Sequence, residues 1–263
     1  MASVFQPGNT AVITGGASGI GLALTKRCVG HGMKVLVADW DEELLGQAGA
    51  SGEVSTIKMD VRKLGEWTKL NSRVTEEFGG KLHLLALNAG VGLMSDWSDL
   101  QSFQQILDVN LYGVINGINA LLPAVKSTAA SASPAAIVIT GSKQGITNPP
   151  GNPAYNASKA AVKALAEHLS FDLRNVPNIG VHLLVPGKPD GAWWPEQVVD
   201  YLEEKMAKDK FYIMCPDNDV SEDTDKKRMR WAVGDLVEGR PPLTRWREDW
   251  KTKAQEWMDS QPA

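Results

Sequence analysis

Short apolar runs recur along the chain, and between them apolar residues repeat at helical spacing. Ala11 to Ile13, Val35 to Ala38, Ser55 to Met59, His83 to Leu87, Ala136 to Thr140, Val181 to Val185 and Lys210 to Met214 read as strands. Helical segments fall between them. One carries Leu22, Ala23, Leu24 and Cys28, a second runs from about Gly65 to Phe78, and a third carries Phe103, Ile106, Leu107, Leu111, Val114, Ile115, Ile118 and Leu122. A fourth runs from Tyr155 to about Asn175, and a fifth from Pro195 or Glu196 to about Lys208. Ser98 and Gln101 are spaced to form a capping box ahead of the third. This alternation is the pattern of a parallel sheet covered by helices on both faces. It predicts an α/β fold with a seven-stranded sheet and a tail of helix and loop.

The first strand runs into Thr14-Gly15-Gly16-Ala17-Ser18-Gly19-Ile20-Gly21. Gly15, Gly19 and Gly21 are spaced for a tight turn that opens directly into a helix. Backbone N–H groups point outward at such a helix start, and the helix dipole favours a pyrophosphate there. Glycine is needed where a side chain would clash with the phosphates or with the strand beneath. The second strand ends in Asp39, where an acid would hydrogen-bond the ribose hydroxyls of an adenine dinucleotide. Strand, turn and acid together predict a dinucleotide site.

The glycine spacing, with Ser142, Tyr155 and Lys159 downstream, resembles the short-chain dehydrogenase/reductase family over roughly residues 11–187. The resemblance implies a Rossmann-type doubly wound three-layer sandwich, one domain over residues 1–263, with a substrate lid and C-terminal segment at about 188–263. It implies cofactor contacts from Gly15, Ser18, Gly19, Ile20, Gly21, Asp39, Trp40, Asp60, Val61, Asn88, Ala89, Gly90, Tyr155, Lys159, Pro186 and Gly187. Asn88-Ala89-Gly90 is similar to the family's Asn-Asn-Ala-Gly, with Leu87 in place of the first Asn. Carried over, the catalytic set is Asn110, Ser142, Tyr155 and Lys159.

The chemistry of an NAD(P)-dependent oxidoreductase, interconverting a secondary alcohol and a ketone or aldehyde, calls for this set. A free phenol with a pKa of about 10 is a weak acid or base at neutral pH. A neighbouring ammonium stabilises the phenolate, so Lys159 would lower the pKa of Tyr155 and also hold the nicotinamide ribose. Ser142 would donate to the substrate oxygen as charge accumulates on it. Asn110 would hold a water linking Lys159 to solvent. Asp39, with Ser18, Trp40 and Asp41 offering no positive charge to a 2′-phosphate, points to NAD over NADP. Arg62 is the basic residue that could reverse that preference. The residues expected to line the substrate pocket are Leu93, Met94, Gln144, Ile146, Asn148 and Trp193 or Trp194, which suggests an apolar or aromatic carbonyl compound.

Composition narrows the remaining classes. A net charge of −4 argues against nucleic acid or an anionic membrane as partner. Apolar runs fall short of membrane-span length, and a strand ten residues in leaves no room for a signal peptide. Cys28 and Cys215 read as reduced, buried thiols of a cytoplasmic protein. The histidines lack metal-ligand spacing, with His83, His168 and His182 at core or interface positions, and no metal is expected. Asp217 to Asp225, followed by Lys226 to Arg230, reads as a solvated loop whose charges compensate each other.

The resemblance fades after Gly187. Family members usually place a Thr-containing segment there to grip the carboxamide, followed by a mobile lid. Here no Thr or Ser occurs between Gly187 and Ser221. Either the lid is trimmed or a segment is missing from this sequence. The second is favoured, because so short a lid would leave the cofactor's reactive end open to water. Two other readings were weighed. A cofactor-sensing regulator or scaffold would be marked by loss of Tyr or Lys, and both are present. A sugar-nucleotide epimerase would need a further substrate domain. The alanine-rich helix from Tyr155, with Ala157, Ala160, Ala161, Ala164 and Ala166, is small and flat enough to pair across a two-fold axis in a homodimer or homotetramer. Trp246, Trp250 and Trp257, with Leu243 and Ala254, read as a core-packing stripe of the tail, with an oligomer contact as the alternative.

Overall fold

The computed structural model describes residues 3–50, 52–187 and 193–262. Seven strands among them form one all-parallel sheet, β1 (Thr10–Thr14), β2 (Lys34–Asp39), β3 (Val54–Lys58), β4 (Leu84–Leu87), β5 (Ala135–Thr140), β6 (Ile179–Val185) and β7 (Tyr212–Met214). Their order is β3-β2-β1-β4-β5-β6-β7. The order reverses between β1 and β4, which opens a crevice at the carboxyl ends of those strands. Apart from the edge strands β3 and β7, whose side chains are partly exposed, the strands are almost wholly buried. Their near-continuous Val, Ile, Leu and Ala runs follow from helices covering both faces.

Two apolar clusters flank the sheet, one on each face. The first packs α3 (Leu64–Phe78), α5 (Gly113–Ala130) and α7 (Pro153–Leu173) against it, with Trp67 buried at its centre and its ring N–H donating to Val61 O at 2.8 Å. The second packs α1 (Gly19–Gly30) and α8 (Pro195–Ala207) on the other face, with α2 (Glu42–Gly49) at its edge. This is the doubly wound α/β fold that the strand–helix alternation predicts.

Several boundaries differ from the sequence reading. The long third helix is two: α4 (Leu100–Leu107) and α5, joined by a π-helical turn, Asp108–Tyr112. The capping box does not form. Asp99 caps α4, accepting from Gln101 N at 3.0 Å and Ser102 N at 3.3 Å, because a carboxylate one residue later is a stronger acceptor than the Ser98 hydroxyl. Ser98 turns back instead to Asp96. A short helix, α6 (Gln144–Thr147), lies between β5 and α7, and α7 begins not at Tyr155 but at Pro153, a residue suited to a first helical turn.

The tail also differs. Asp217 to Arg230 is not a solvated loop: Ser221 caps α9 (Glu222–Val237), and Asp217 and Asp225 fold inward onto Lys143. A 3-10 turn, Thr244–Trp246, and α10 (Glu248–Ser260) follow. Trp231, outside the expected stripe, is the buried tryptophan of this segment; its ring N–H donates to Thr244 Oγ1 at 2.8 Å, and its ring packs on Trp257. Trp246, Trp250 and Trp257 are half-buried, and Ala254 is buried. Cys28 and Cys215 are free and buried, and burial pushes both thiols up to about 12. No helix among the described residues is long and apolar enough to cross a membrane.

Candidate active site

The site is built where β1, β4, β5 and β6 end together. Thr14 Oγ1, at the end of β1, accepts from Asn88 N and Ala89 N, both at 3.1 Å. Asn88 then ties three strands: its Nδ2 donates to Gly15 O at 3.2 Å, and its Oδ1 accepts from Thr140 Oγ1 at 3.1 Å. The glycine turn is held against this lacing. Gly19 has φ +50° at the start of α1, with open space where a Cβ would stand. A Cβ at Gly21 would come within 2.0 Å of Gly15 O, so the helix start lies directly on the turn.

Asp39 is buried at the end of β2, and its carboxylate is fixed by main-chain donors. Oδ2 accepts from Ala17 N at 3.1 Å, and Oδ1 accepts from Trp40 N at 2.8 Å. Oδ1 also accepts from Asp41 N at 3.3 Å, so the remaining lone pair is on Oδ2 and can take one hydroxyl donor. Trp40 and Ser18 are exposed beside it. Val61 is buried against α5, while Asp60 forms a paired fork with Arg62, at 2.8 Å to Nε and 2.7 Å to Nη2. That pairing holds the Asp60 carboxyl below the usual range. The open glycine turn, the helix start and the fixed acid fit a pyrophosphate joined to an adenosine ribose.

On the other side of the crevice, Tyr155 and Lys159 lie one turn apart on α7. Lys159 is buried, and its Nζ lies 5.9 Å from the centre of the Tyr155 ring. The ammonium donates to Thr140 O at 2.8 Å and pairs with no carboxylate among the described residues. Burial therefore lowers its pKa to about 8. Burial raises that of Tyr155, while a hydrogen bond with the Ser142 hydroxyl works in the opposite direction. Ser142 follows β5 directly, and its Oγ also accepts from Gln144 N at 3.2 Å at the start of α6.

Asn110 sits in the π-helical turn, a geometry that recurs at functional sites. Its Nδ2 donates to Val91 O at 3.0 Å and Ser158 Oγ at 3.2 Å, and its Oδ1 accepts from Val91 N at 2.8 Å. A Cβ at Gly90 would lie 3.3 Å from Asn110 Oδ1 and 3.7 Å from Lys159 Nζ. Gly90 thus separates the two side chains by one residue's width. Pro186 and Gly187 close β6 beside Ser142, with Lys143 N donating to Pro186 O at 3.4 Å.

The expected pocket residues divide. Leu93 and Met94 are exposed on a loop tied to the start of α7: Asn152 Nδ2 donates to Leu93 O at 2.8 Å, and Ser95 Oγ bonds Asn152 Oδ1 at 2.7 Å. Gln144 and Ile146 are half-buried on α6. Asn148 ends α6 with φ +47°, and Asn156 Nδ2 engages its side-chain oxygen at 3.1 Å, which makes it a loop anchor. Trp193 is placed elsewhere. It packs edge-on against Tyr201 of α8, within the apolar cluster on the other face, because that cluster offers an indole far more burial. Trp194 is exposed. The stretch after Gly187, where the lid question arises, falls largely on residues 188–192, outside the described residues.

Sequence reasoning missed the Ser95–Asn152 clamp and the ionic cluster behind Ser142. In that cluster Lys143 Nζ reaches Asp217 Oδ2 at 2.8 Å and Asp225 Oδ2 at 2.5 Å, with all three side chains largely buried. One signal was available, since a lysine directly after a buried strand needs a buried acid. Among the described residues no cluster of His, Cys, Asp or Glu could hold a metal.

Comparison with known proteins gives a consistent picture. The short chain dehydrogenase family matches residues 9–197. The 3-alpha-(or 20-beta)-hydroxysteroid dehydrogenase of Mycobacterium bovis is 32% identical over 199 residues, 73% of this chain and 74% of that protein. The NADP-dependent (R)-specific alcohol dehydrogenase of Lentilactobacillus kefiri is 32% identical over 63% of this chain and 66% of its own length. A short chain dehydrogenase/reductase from Burkholderia phymatum, solved in complex with NAD, superposes with a TM-score of 0.82 at 29% identity, covering 91% of this chain and 98% of that one. The chain belongs to the short-chain dehydrogenase/reductase family, and so to the nicotinamide-dependent oxidoreductases that act on small molecules.

Proposed function

We propose that the protein interconverts a secondary alcohol and a ketone or aldehyde by hydride transfer, with Tyr155 as general acid and base. The observation that carries this reading is Lys159, a buried ammonium beside a phenol with no carboxylate among the described residues to balance it. A charge in that state is costly, and a functional role explains why the fold tolerates it. The bound nicotinamide supplies the hydride acceptor or donor. Ser142 and Tyr155 hold the substrate oxygen between two hydroxyls. During reduction Tyr155 gives its proton to that oxygen as negative charge gathers there, and Lys159 stabilises the phenolate left behind. Asn110 has committed both amide hydrogens, so only its oxygen retains capacity for a water leading toward Lys159. The chain acts as one domain, with its C-terminal part forming the tail.

The dinucleotide is NAD rather than NADP. A 2′-phosphate would stand against the Asp39 carboxylate in a partly desolvated place. Arg62, which follows the third strand, is taken up by its fork with Asp60. The substrate is an apolar or aromatic carbonyl compound. Exposed Leu93 and Met94 beside the start of α7 support a bulky ring skeleton. The hydroxysteroid and dihydrobiphenyl-diol dehydrogenases among the relatives favour the same class. α7 pairs with α5 in a homodimer or homotetramer. Ala157, Ala160, Ala164, His168 and Phe171 are exposed along one stripe of α7, whereas Ala166 turns into the core and leaves that face.

Tyr155→Phe keeps NAD binding and drops ketone reduction below about one hundredth of wild type, measured by nicotinamide absorbance; a higher residual rate counts against Tyr155 as proton donor. In the wild type, kcat/KM for reduction falls as pH rises through about 8, because Lys159 loses the charge that stabilises the phenolate. A profile flat from pH 7 to 9 assigns that charge elsewhere. Initial rates at equal sub-saturating cofactor favour NADH over NADPH by about ten-fold or more, and Asp39→Ser narrows the gap. Light scattering at micromolar concentration reports a dimer or tetramer, and a monomer defeats the pairing of α5 and α7.

A further inference from the structure

Behind Ser142 lies a carboxylate with one oxygen used and one idle. Asp217 follows β7, beyond the residues matched by the family. Its Oδ2 accepts from Lys143 Nζ at 2.8 Å, and Lys143 also pairs with Asp225. Its Oδ1 is buried and receives no hydrogen bond. An orphaned buried carboxylate oxygen is expensive to keep, and native folds seldom do so without a ligand or water to answer it.

The position of that oxygen is well defined. A Cβ built on Gly187 would lie 1.6 Å from Asp217 Oδ1, so the carboxylate fills the space that a side chain at Gly187 would take. Gly187 ends β6, the neighbour of β5, and β5 leads into Ser142. Lys143 links the two strand ends through Pro186 O on its main chain and Asp217 on its side chain. Hydride exchange with the substrate carbon whose oxygen is held by Ser142 and Tyr155 brings the nicotinamide end of the dinucleotide to these same strand ends. Its carboxamide carries two N–H donors. The segment after Gly187 offers no Ser or Thr hydroxyl to meet them, since neither residue occurs between Gly187 and Ser221.

We propose that Asp217 Oδ1 accepts the carboxamide N–H of the nicotinamide and so fixes which face of the ring is presented to substrate. The assignment rests on the dinucleotide reading above. It makes the tail, through the loop after β7, part of the cofactor site. It also gives Gly187 a reason of its own: any side chain there would displace the acceptor. Lys143 then acts as a positioning residue, holding Asp217 by one oxygen so that the other stays free.

The test is equilibrium binding followed by tryptophan fluorescence, with NAD, nicotinic acid adenine dinucleotide and ADP-ribose as probes. Nicotinic acid adenine dinucleotide puts a carboxylate where NAD has its carboxamide, and ADP-ribose lacks the ring altogether. The wild type binds NAD about ten-fold or more tightly than the acid analogue, because two carboxylates would face each other. Asp217→Asn weakens NAD by about ten-fold, leaves ADP-ribose within about two-fold, and narrows discrimination against the acid analogue. Gly187→Ala gives the same pattern by pushing the carboxylate aside, and it carries the test should Asp217→Asn fail to fold. Unchanged NAD affinity in a folded variant overturns the assignment, as does an equal loss for NAD and ADP-ribose, which marks a structural role. A wild type that binds neither NAD nor ADP-ribose overturns the dinucleotide reading itself, a result distinct from a loss confined to the nicotinamide half.

Discussion

The burial of Lys159, with no acid paired to it among the described residues, is the constraint to which the surrounding structure answers. An ammonium removed from water needs acceptors, and the nearest is the carbonyl of Thr140, at the end of a strand where the ladder leaves it available. This requires α7 to press closely on β5 and α6. A Cβ at Gly145 of α6 would lie 2.5 Å from the main chain of Lys159, which shows how little space separates the two helices. The same closeness brings the Ser142 hydroxyl to Tyr155. One electrostatic demand thus sets the spacing of three elements that the proposed chemistry uses together.

Much of this was legible in the sequence, for a physical reason. The glycine turn and Asp39 are local: strand, turn and helix follow one another without interruption, so spacing alone carries the geometry. Tyr155 and Lys159 are one helical turn apart, and that too survives the step from sequence to structure. The missed features depend on residues distant in the chain. Lys143 meets Asp217 and Asp225 across 74 and 82 positions, and no periodicity marks that pairing. Trp193 resembled a pocket residue because of its neighbours in sequence, yet the apolar ground beneath α8 claimed it. Ala166 was assigned to a flat outer face, although the helical turn carries it to the core side with Val162 and Leu169.

The tail changes how the domain's two ends relate. The family match stops within α8, but α9 sends Asp225 back to the residue next to Ser142. Asp235 and Arg240 then brace the tail internally, with Asp235 Oδ2 accepting from Thr244 N at 3.0 Å and Arg240 stacked on the Trp231 ring at 3.8 Å. Burial raises the Asp225 carboxyl, while Lys143 and Arg228 pull it the other way. A segment beyond the residues matched by the family therefore places charge beside Ser142.

The π-helical turn at Asp108–Tyr112 has a consequence for how this chain can vary. It holds one residue more than a regular helix would use over the same rise, and each residue of an α-helix advances the azimuth by about 100°. Removing that residue would make α4 and α5 a single regular rod, with better hydrogen bonding along its length. It would also swing everything from Gly113 onward around the axis by roughly a quarter turn. Gly117, whose missing Cβ leaves room for Leu87 and Trp67, would rotate out of that contact. The extra residue works as a phase shifter: the half-turn before it is indexed to Asn110 and the crevice, the half-turn after it to the apolar sheet face. Length in this stretch is therefore fixed to the single residue, even where the identity of a side chain is not.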